Sequence, residues 1–182
     1  MLEGHDHTAQ PARFLIDNID LLPLGRALDI AMGEGQNAIF LATHGFEVEG
    51  VDISTDAVAS ALKAAQQAGI SIRATITDIE RGYVIPQNTY DVIVCFHYLQ
   101  RSLIPQIKDG LKAGGVVVYE TFIIDQVQFG RPRNPAHLLK HNELLDLFRD
   151  FRCLRYREGI VEGRKAIAGI VAQKGAPSPG NT

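Results

Sequence analysis

The sequence predicts an α/β chain: an open sheet of about seven strands, mostly parallel, finished by an antiparallel hairpin, with helices on both faces. Three observations carry this expectation. Short apolar runs alternate with segments of helical periodicity from Arg26 to Phe122, the βαβ order of a parallel sheet. The run "YDVIVCFHYL" is apolar on both faces, as a central parallel strand is. Near the end, "FRCLRYREGI" and "RKAIAGIVAQK" flank Glu162-Gly163, which is the spacing of a hairpin. The whole is a Rossmann-like plan with an antiparallel edge.

The elements follow in order. "PARFLIDNIDLLP" places Leu15, Ile16, Ile19 and Leu22 on one helical face, with Pro11 suited to a first turn and Pro23 to a stop. The apolar run Ala27 to Ala31 is a first strand that breaks at Gly33-Glu34-Gly35. Helical spacing then resumes in Ala38, Ile39, Leu41 and Ala42 and stops at Gly45. A second strand ends in Asp52. Ser54 is the N-cap of a helix whose Val58, Ala61, Leu62 and Ala65 share a face, and Gly69 closes it. "ISIRATITDI" is a third strand ending near Asp78, and a loop with Gly82 and Pro86 leads to the fourth. Pro105 opens a helix running to Leu111, and "LKAGGVVVYETF" supplies a glycine turn and a fifth strand. A long loop and a helix near Asn142 to Arg149 precede the hairpin.

A chain of 182 residues favours one domain, expected over 11–174, between a loose arm, 1–10, and a disordered tail, 175–182, whose composition cannot build a core. With 18 basic and 21 acidic residues the net charge is −3, so no electrostatic case exists for broad binding to nucleic acid or an anionic membrane. No apolar run approaches a membrane span and the start lacks the apolar core of a signal peptide, which points to a cytoplasmic protein. Cys95 and Cys153 fall in or near apolar runs and are expected as two buried thiols rather than a disulfide. Oligomeric state is left open between monomer and homodimer.

The strand, glycine turn, helix and acid-terminated strand suit an adenosine. Glycines admit a ligand close to the backbone, free N–H groups open the helix, and a carboxylate at the second strand end accepts from ribose hydroxyls. Asp52 lies 19 residues after Gly33, and Gly33-x-Gly35-x-x-Ala38 also satisfies the dinucleotide fingerprint. The turn alone is therefore compatible with an NAD(P)-dependent oxidoreductase, or with a non-catalytic module that binds an adenosine cofactor.

The terminal hairpin separates these readings, because a dinucleotide fold normally continues with parallel units. "LDIAMGEGQNAIFLATHGFEVEGVDIS", "YDVIVCFHYLQR" and "LKAGGVVVYETF" together resemble the class I S-adenosylmethionine methyltransferases, and more narrowly their small tellurite-resistance-type branch, over roughly residues 12–173. The resemblance implies S-adenosylmethionine as cofactor and methyl transfer to a small-molecule acceptor. It assigns Asp29 as the first-strand acid and Ala31, Gly33 and Gly35 as the cofactor loop. Ala31 is a departure, standing where many members have glycine. Asp52, with Ile53 beside it, matches the ribose acid, and Asp78 with Ile79 the adenine edge. Phe96 and His97 match the loop after strand four that borders the cofactor. The Asn/Asp-Pro-Pro-aromatic sequence of base-modifying relatives is missing from "CFHYLQ".

Beyond the cofactor, His97 and Glu120 are the candidate catalytic residues, at the carboxyl ends of strands four and five where an open sheet forms its crevice. Thr121 is a candidate substrate contact. Arg131 and Arg133, set between prolines on a loop expected over the crevice, suit an anionic acceptor. A soft sulfur, selenium or tellurium nucleophile needs no general base, so the acceptor is expected to be anionic, soft or both. His137 with His141, and His5 with His7, lack a third ligand at good spacing, so no metal is expected.

Overall fold

In the computed structural model, which describes residues 10–175, one 7-stranded sheet runs in the order β3-β2-β1-β4-β5-β7-β6. The strands are β1 (Arg26–Ile30), β2 (Glu47–Asp52), β3 (Arg73–Ile76), β4 (Tyr90–Phe96), β5 (Leu111–Phe122), β6 (Arg152–Val161) and β7 (Lys165–Gln173). Pairing is parallel from β3 to β5, and β7 then joins both β5 and β6 antiparallel. The helices are α1 (Arg13–Ile16), α2 (Gln36–Thr43), α3 (Thr55–Gln67), α4 (Ile104–Gly110) and α5 (Glu143–Leu147). The proposed arm and tail lie almost wholly outside the described residues, as do His5 and His7.

Strand alternation divides the core between the two sheet faces. Ala27, Val92, Val94, Val116 and Val118 face α1, α2 and α3 with Phe14, Leu41 and Val58. Leu28, Ile30, Ile93, Val117 and Tyr119 face the other way with Ile107, Leu144 and Phe148. Strand order reverses between β1 and β4, and ligands bind open sheets in the crevice at that point. In the hairpin turn both Glu162 (φ 54) and Gly163 (φ 62) are left-handed, as a tight turn matching the strand twist requires.

Several local expectations change. The first helix is one turn, Arg13–Ile16, followed by a 3-10 turn at Ile19–Leu21. Asn18 donates its side-chain amide to the Phe14 carbonyl, 2.8 Å, the kind of local bond that competes with helix continuation. β3 stops at Ile76, so Asp78 lies beyond it in a turn, and α5 is shorter than its apolar pattern. Leu62 is 42% exposed, leaving Val58, Ala61 and Ala65 as the buried stripe of α3. The glycine turn before strand five is an irregularity inside β5, where pairing jumps from Tyr90↔Leu111 to Val92↔Val116. A Cβ at Gly115 would lie 2.8 Å from the Lys112 carbonyl oxygen, so the chain can cross itself there only as glycine. Cys95 is buried, but Cys153 is exposed, because it sits at the register shift of the edge strand β6.

Candidate active site

Two cavities open among the carboxyl ends of the parallel strands and the loops that follow them. The first, about 350 Å³, is lined by Ala31, Asp52, Ile53, Asp78, Ile79, Glu80, Arg81 and Tyr98. The second, about 270 Å³, is lined by His97, Tyr98, Leu99, Thr121, Phe122, Pro132 and His137.

Asp52 organises the first cavity. Its Oδ2 accepts from the Gly33 amide at 2.8 Å and its Oδ1 from the Ser54 amide at 2.9 Å. A carboxylate has about four lone-pair sites, so each oxygen keeps capacity for a ligand hydroxyl. Ser54 then caps α3 by accepting from Ala57. Asp78 Oδ1 accepts from the Glu80 amide at 3.0 Å, which folds the turn that carries Ile79 and Arg81 into the wall.

Asp29 lies beneath this wall at the end of β1 and is 1% exposed. Burial, the largest influence, pushes its carboxyl up to about 8; the Ala38 amide in the first turn of α2 pulls it back, and the Asp52 charge adds to the rise. Its Oδ2 has no hydrogen-bond partner among the described residues. A buried polar atom without a partner is costly, and a ligand that brings a donor relieves that cost.

The glycines divide their work. Gly33 (φ 55) has open space where a Cβ would stand and offers its amide to Asp52. Gly35 (φ 82) has the Ala61 Cβ 2.7 Å from where its own would be, so this glycine serves the packing of α2 against α3. Ala31 is itself left-handed (φ 54), a conformation that glycine adopts freely and alanine resists. Phe96 is buried in the core at the end of β4 rather than facing either cavity.

His97 begins the second cavity. Its backbone is left-handed (φ 57), its amide donates to the Glu120 carbonyl at 2.9 Å, and its ring stacks on Phe122 with centroids 5.2 Å apart. Burial, followed by the charge of Lys165, holds the imidazole below its ordinary value, so it is neutral at pH 7 and keeps a free lone pair. Pro132 brings the arginine loop against this cavity, while the exposed side chains of Arg131 and Arg133 enter no hydrogen bond or ion pair among the described residues.

Two fixtures hold that loop. Arg101 Nε and Nη2 reach the Glu143 carboxylate at 2.5 and 2.9 Å while its guanidinium also donates to the Ala136 and Leu138 carbonyls. Buried Gln126 donates to the Arg131 carbonyl and accepts from the Ala166 amide on β7.

The chain is similar to known proteins in sequence and in fold. A family model described as a methyltransferase domain matches residues 27–115. The probable S-adenosyl-L-methionine-dependent methyltransferase TehB of Haemophilus influenzae is 24% identical over 159 residues, 83% of this chain and 54% of that protein. Residues 27–115 thus match a methyltransferase domain, and over most of its length the chain is similar to the class I S-adenosylmethionine methyltransferase TehB. The TehB crystal structure superimposes with a TM-score of 0.75 at 21% identity, covering 88% of this chain and 61% of that one. Hemagglutinin 1 of Eikenella corrodens is 31% identical over 149 residues, 74% of this chain and 46% of that protein. The chain thus spans about half the length of these two relatives.

The methyltransferase fold brings together Ala31, Asp52, Ile53, Asp78 and Ile79 in one cavity and His97 with Thr121 in the other. It does not bring Glu120 into either. That side chain, 2% exposed, turns to the opposite sheet face and pairs with Arg157, whose Nη2 lies 2.6 Å away. Arg157 in turn covers the Phe14 ring at 4.8 Å. Sequence reasoning missed Tyr98, Glu80 and Arg81, although Tyr98 directly follows His97. His137 contributes to the second cavity, and His141 pairs with Asp125 at 2.5 Å. Among the described residues no cluster of three or more metal-ligating side chains occurs, and no helix is long and apolar enough to cross a membrane.

Proposed function

We propose that this chain transfers a methyl group from S-adenosylmethionine to a small-molecule acceptor seated in the His97 cavity. The observation that carries the reading is adjacency: a cavity walled by Asp52 at the end of β2 and Asp78 in the turn after β3 shares Tyr98 with a second one walled by a neutral imidazole, a hydroxyl and two aromatic rings. The unpartnered Oδ2 of Asp29 supports the fit, since a buried carboxyl with spare capacity suits a ligand that carries an amino group. The cofactor supplies an activated methyl on a sulfonium, so the protein has chiefly to align and to exclude water.

In this reading Asp52 accepts from the ribose diol with the lone pairs that Gly33 and Ser54 leave free. Ile53 and Ile79 offer apolar edges, and Asp78 the polar one. Ala31 and Gly33 form the loop beside the cofactor. Gly35 and Phe96 act one step back, fixing α2 and the end of β4. Thr121 and His97 hold the acceptor, and His97 can take a proton from it where one must leave. Arg131 and Arg133 stand at the rim, where a guanidinium favours an anionic acceptor such as an oxyanion, carboxylate or chalcogen anion. Glu120 serves as a buried anchor instead of a reacting group.

Calorimetric titration of the purified protein with S-adenosylmethionine, S-adenosylhomocysteine and NAD in parallel tests the reading. Binding of the first two without NAD is expected and justifies a methyl-acceptor screen. Binding of NAD alone sinks the proposal in favour of a dinucleotide enzyme.

A further inference from the structure

Tyr98 is the residue common to the walls of both cavities. Its backbone is fixed from below: the buried Tyr119 hydroxyl donates to the Tyr98 carbonyl at 2.7 Å, and the buried Cys95 thiol approaches the same oxygen at 3.7 Å. The left-handed turn at His97 immediately before it sends the two neighbouring side chains in different directions. His97 stacks on Phe122 in the second cavity, and Tyr98 stands between the second cavity and the first.

The phenol is held as well. Its hydroxyl lies 2.9 Å from Gln100 Oε1 and 3.4 Å from Glu80 Oε1. Burial and the Glu80 charge keep it protonated, with its ionisation pushed up to about 12, so it remains a donor throughout the physiological range. Glu80 belongs to the Asp78–Arg81 turn that walls the first cavity. The ring is therefore secured at its backbone by the core and at its tip by the cofactor-side turn.

We infer that Tyr98 is the partition between the donor and acceptor cavities and sets how large a group can lie between them. The inference rests on the methyltransferase reading, and it makes Tyr98 a specificity-determining residue. Any group passing from one cavity to the other crosses the face or edge of this ring. A methyl group is small enough to cross without moving it. A bulky substituent on the same sulfur meets the ring, and removing the ring joins spaces of about 350 and 270 Å³ into one.

Binding resolves this without knowledge of the acceptor. S-adenosylmethionine and its analogue carrying benzyl in place of methyl on the sulfonium are titrated calorimetrically into wild type, Tyr98→Phe and Tyr98→Ala. Wild type is expected to prefer the methyl compound by at least tenfold. Tyr98→Ala should narrow that preference below threefold by gaining affinity for the benzyl compound. Tyr98→Phe keeps the ring and should behave as wild type. Because the carbonyl makes the core contacts, truncating the ring leaves the backbone anchors in place, and a cooperative thermal transition in each variant verifies the fold. An unchanged preference in Tyr98→Ala, or equal loss of both ligands, overturns the partition while leaving the methyltransferase reading standing. A folded wild type that binds neither compound removes that reading, and the partition with it.

Discussion

Replacing Asp29 by asparagine keeps the shape of a buried side chain and removes its ability to ionise, which makes it a direct probe of the buried acid in β1. In the folded chain burial pushes the Asp29 carboxyl up to about 8, whereas an unfolded chain releases that proton near pH 3.9. Between those values the folded state holds a proton that the unfolded state has lost. Stability from this group is thus complete below about pH 4 and falls as pH rises toward the folded value, by about 1.4 kcal/mol per unit. From pH 5 to pH 8 the loss amounts to roughly 4 kcal/mol, an order-of-magnitude figure. Asp29→Asn should not share it. The assay is urea unfolding of the ligand-free protein at pH 5, 6.5 and 8, comparing the two chains at each pH. Glu49, Asp91, Glu143 and Asp150 are held below their ordinary values and act mainly at lower pH, and the raised Glu120 and His141 are common to both chains and cancel. Parallel stability profiles would refute the reasoning. A cationic ligand group at Oδ2 reverses the burial effect, so cofactor binding at pH 7 should expel a proton, seen as a calorimetric heat that depends on the buffer. Asp29→Asn should abolish that dependence and weaken binding by more than tenfold.

Three further outcomes are expected. Ala31→Gly relieves a left-handed alanine worth about 1–2 kcal/mol and gives back about 0.5–1 kcal/mol in chain entropy, so a thermal scan should show a gain of a few degrees at most; a drop would mean the methyl makes contacts that outweigh its strain. Glu120→Ala leaves Arg157 without its partner and should cost about 2–3 kcal/mol by urea unfolding, below the 3–5 of a fully buried pair because Arg157 reaches water. Unchanged stability with lost turnover would instead make Glu120 a reacting group. Replacing Arg131 and Arg133 together by alanine should raise KM for an anionic acceptor about tenfold with cofactor affinity unchanged, and an equal loss of cofactor affinity would make the loop a cofactor lid.

The parts of the fold that were legible in the sequence are those fixed by period and punctuation. β4 reads directly because every residue from Tyr90 to Phe96 except Asp91 is buried, and the hairpin because Glu162-Gly163 supplies two left-handed positions. Strand ends were less readable: β3 stops short because the chain turns at Asp78, whose carboxylate accepts from the Glu80 amide. In the site, proximity along the chain was visible and side-chain direction was not. Glu120 and Thr121 are neighbours, yet strand alternation turns one toward Arg157 and the other into the His97 cavity. Gly35 fits a ligand loop by motif, but the atom it makes room for belongs to Ala61, a contact that only the packing of two helices reveals.

The placement of β7 between β5 and β6 has a consequence for how the protein is made. β6 precedes β7 in the chain but joins the strand ladder only through it, so when a ribosome has produced residues up to 161 the edge of β5 is still open. When β7 follows it closes that edge, supplies Ala166 to fix Gln126 beneath the arginine loop, and gives Arg157 its seat beside Glu120 and Phe14. The His97 side of the crevice is thereby completed late in synthesis, after the Asp52 side has its strands, and a chain stalled before residue 165 presents a bare strand edge to its neighbours.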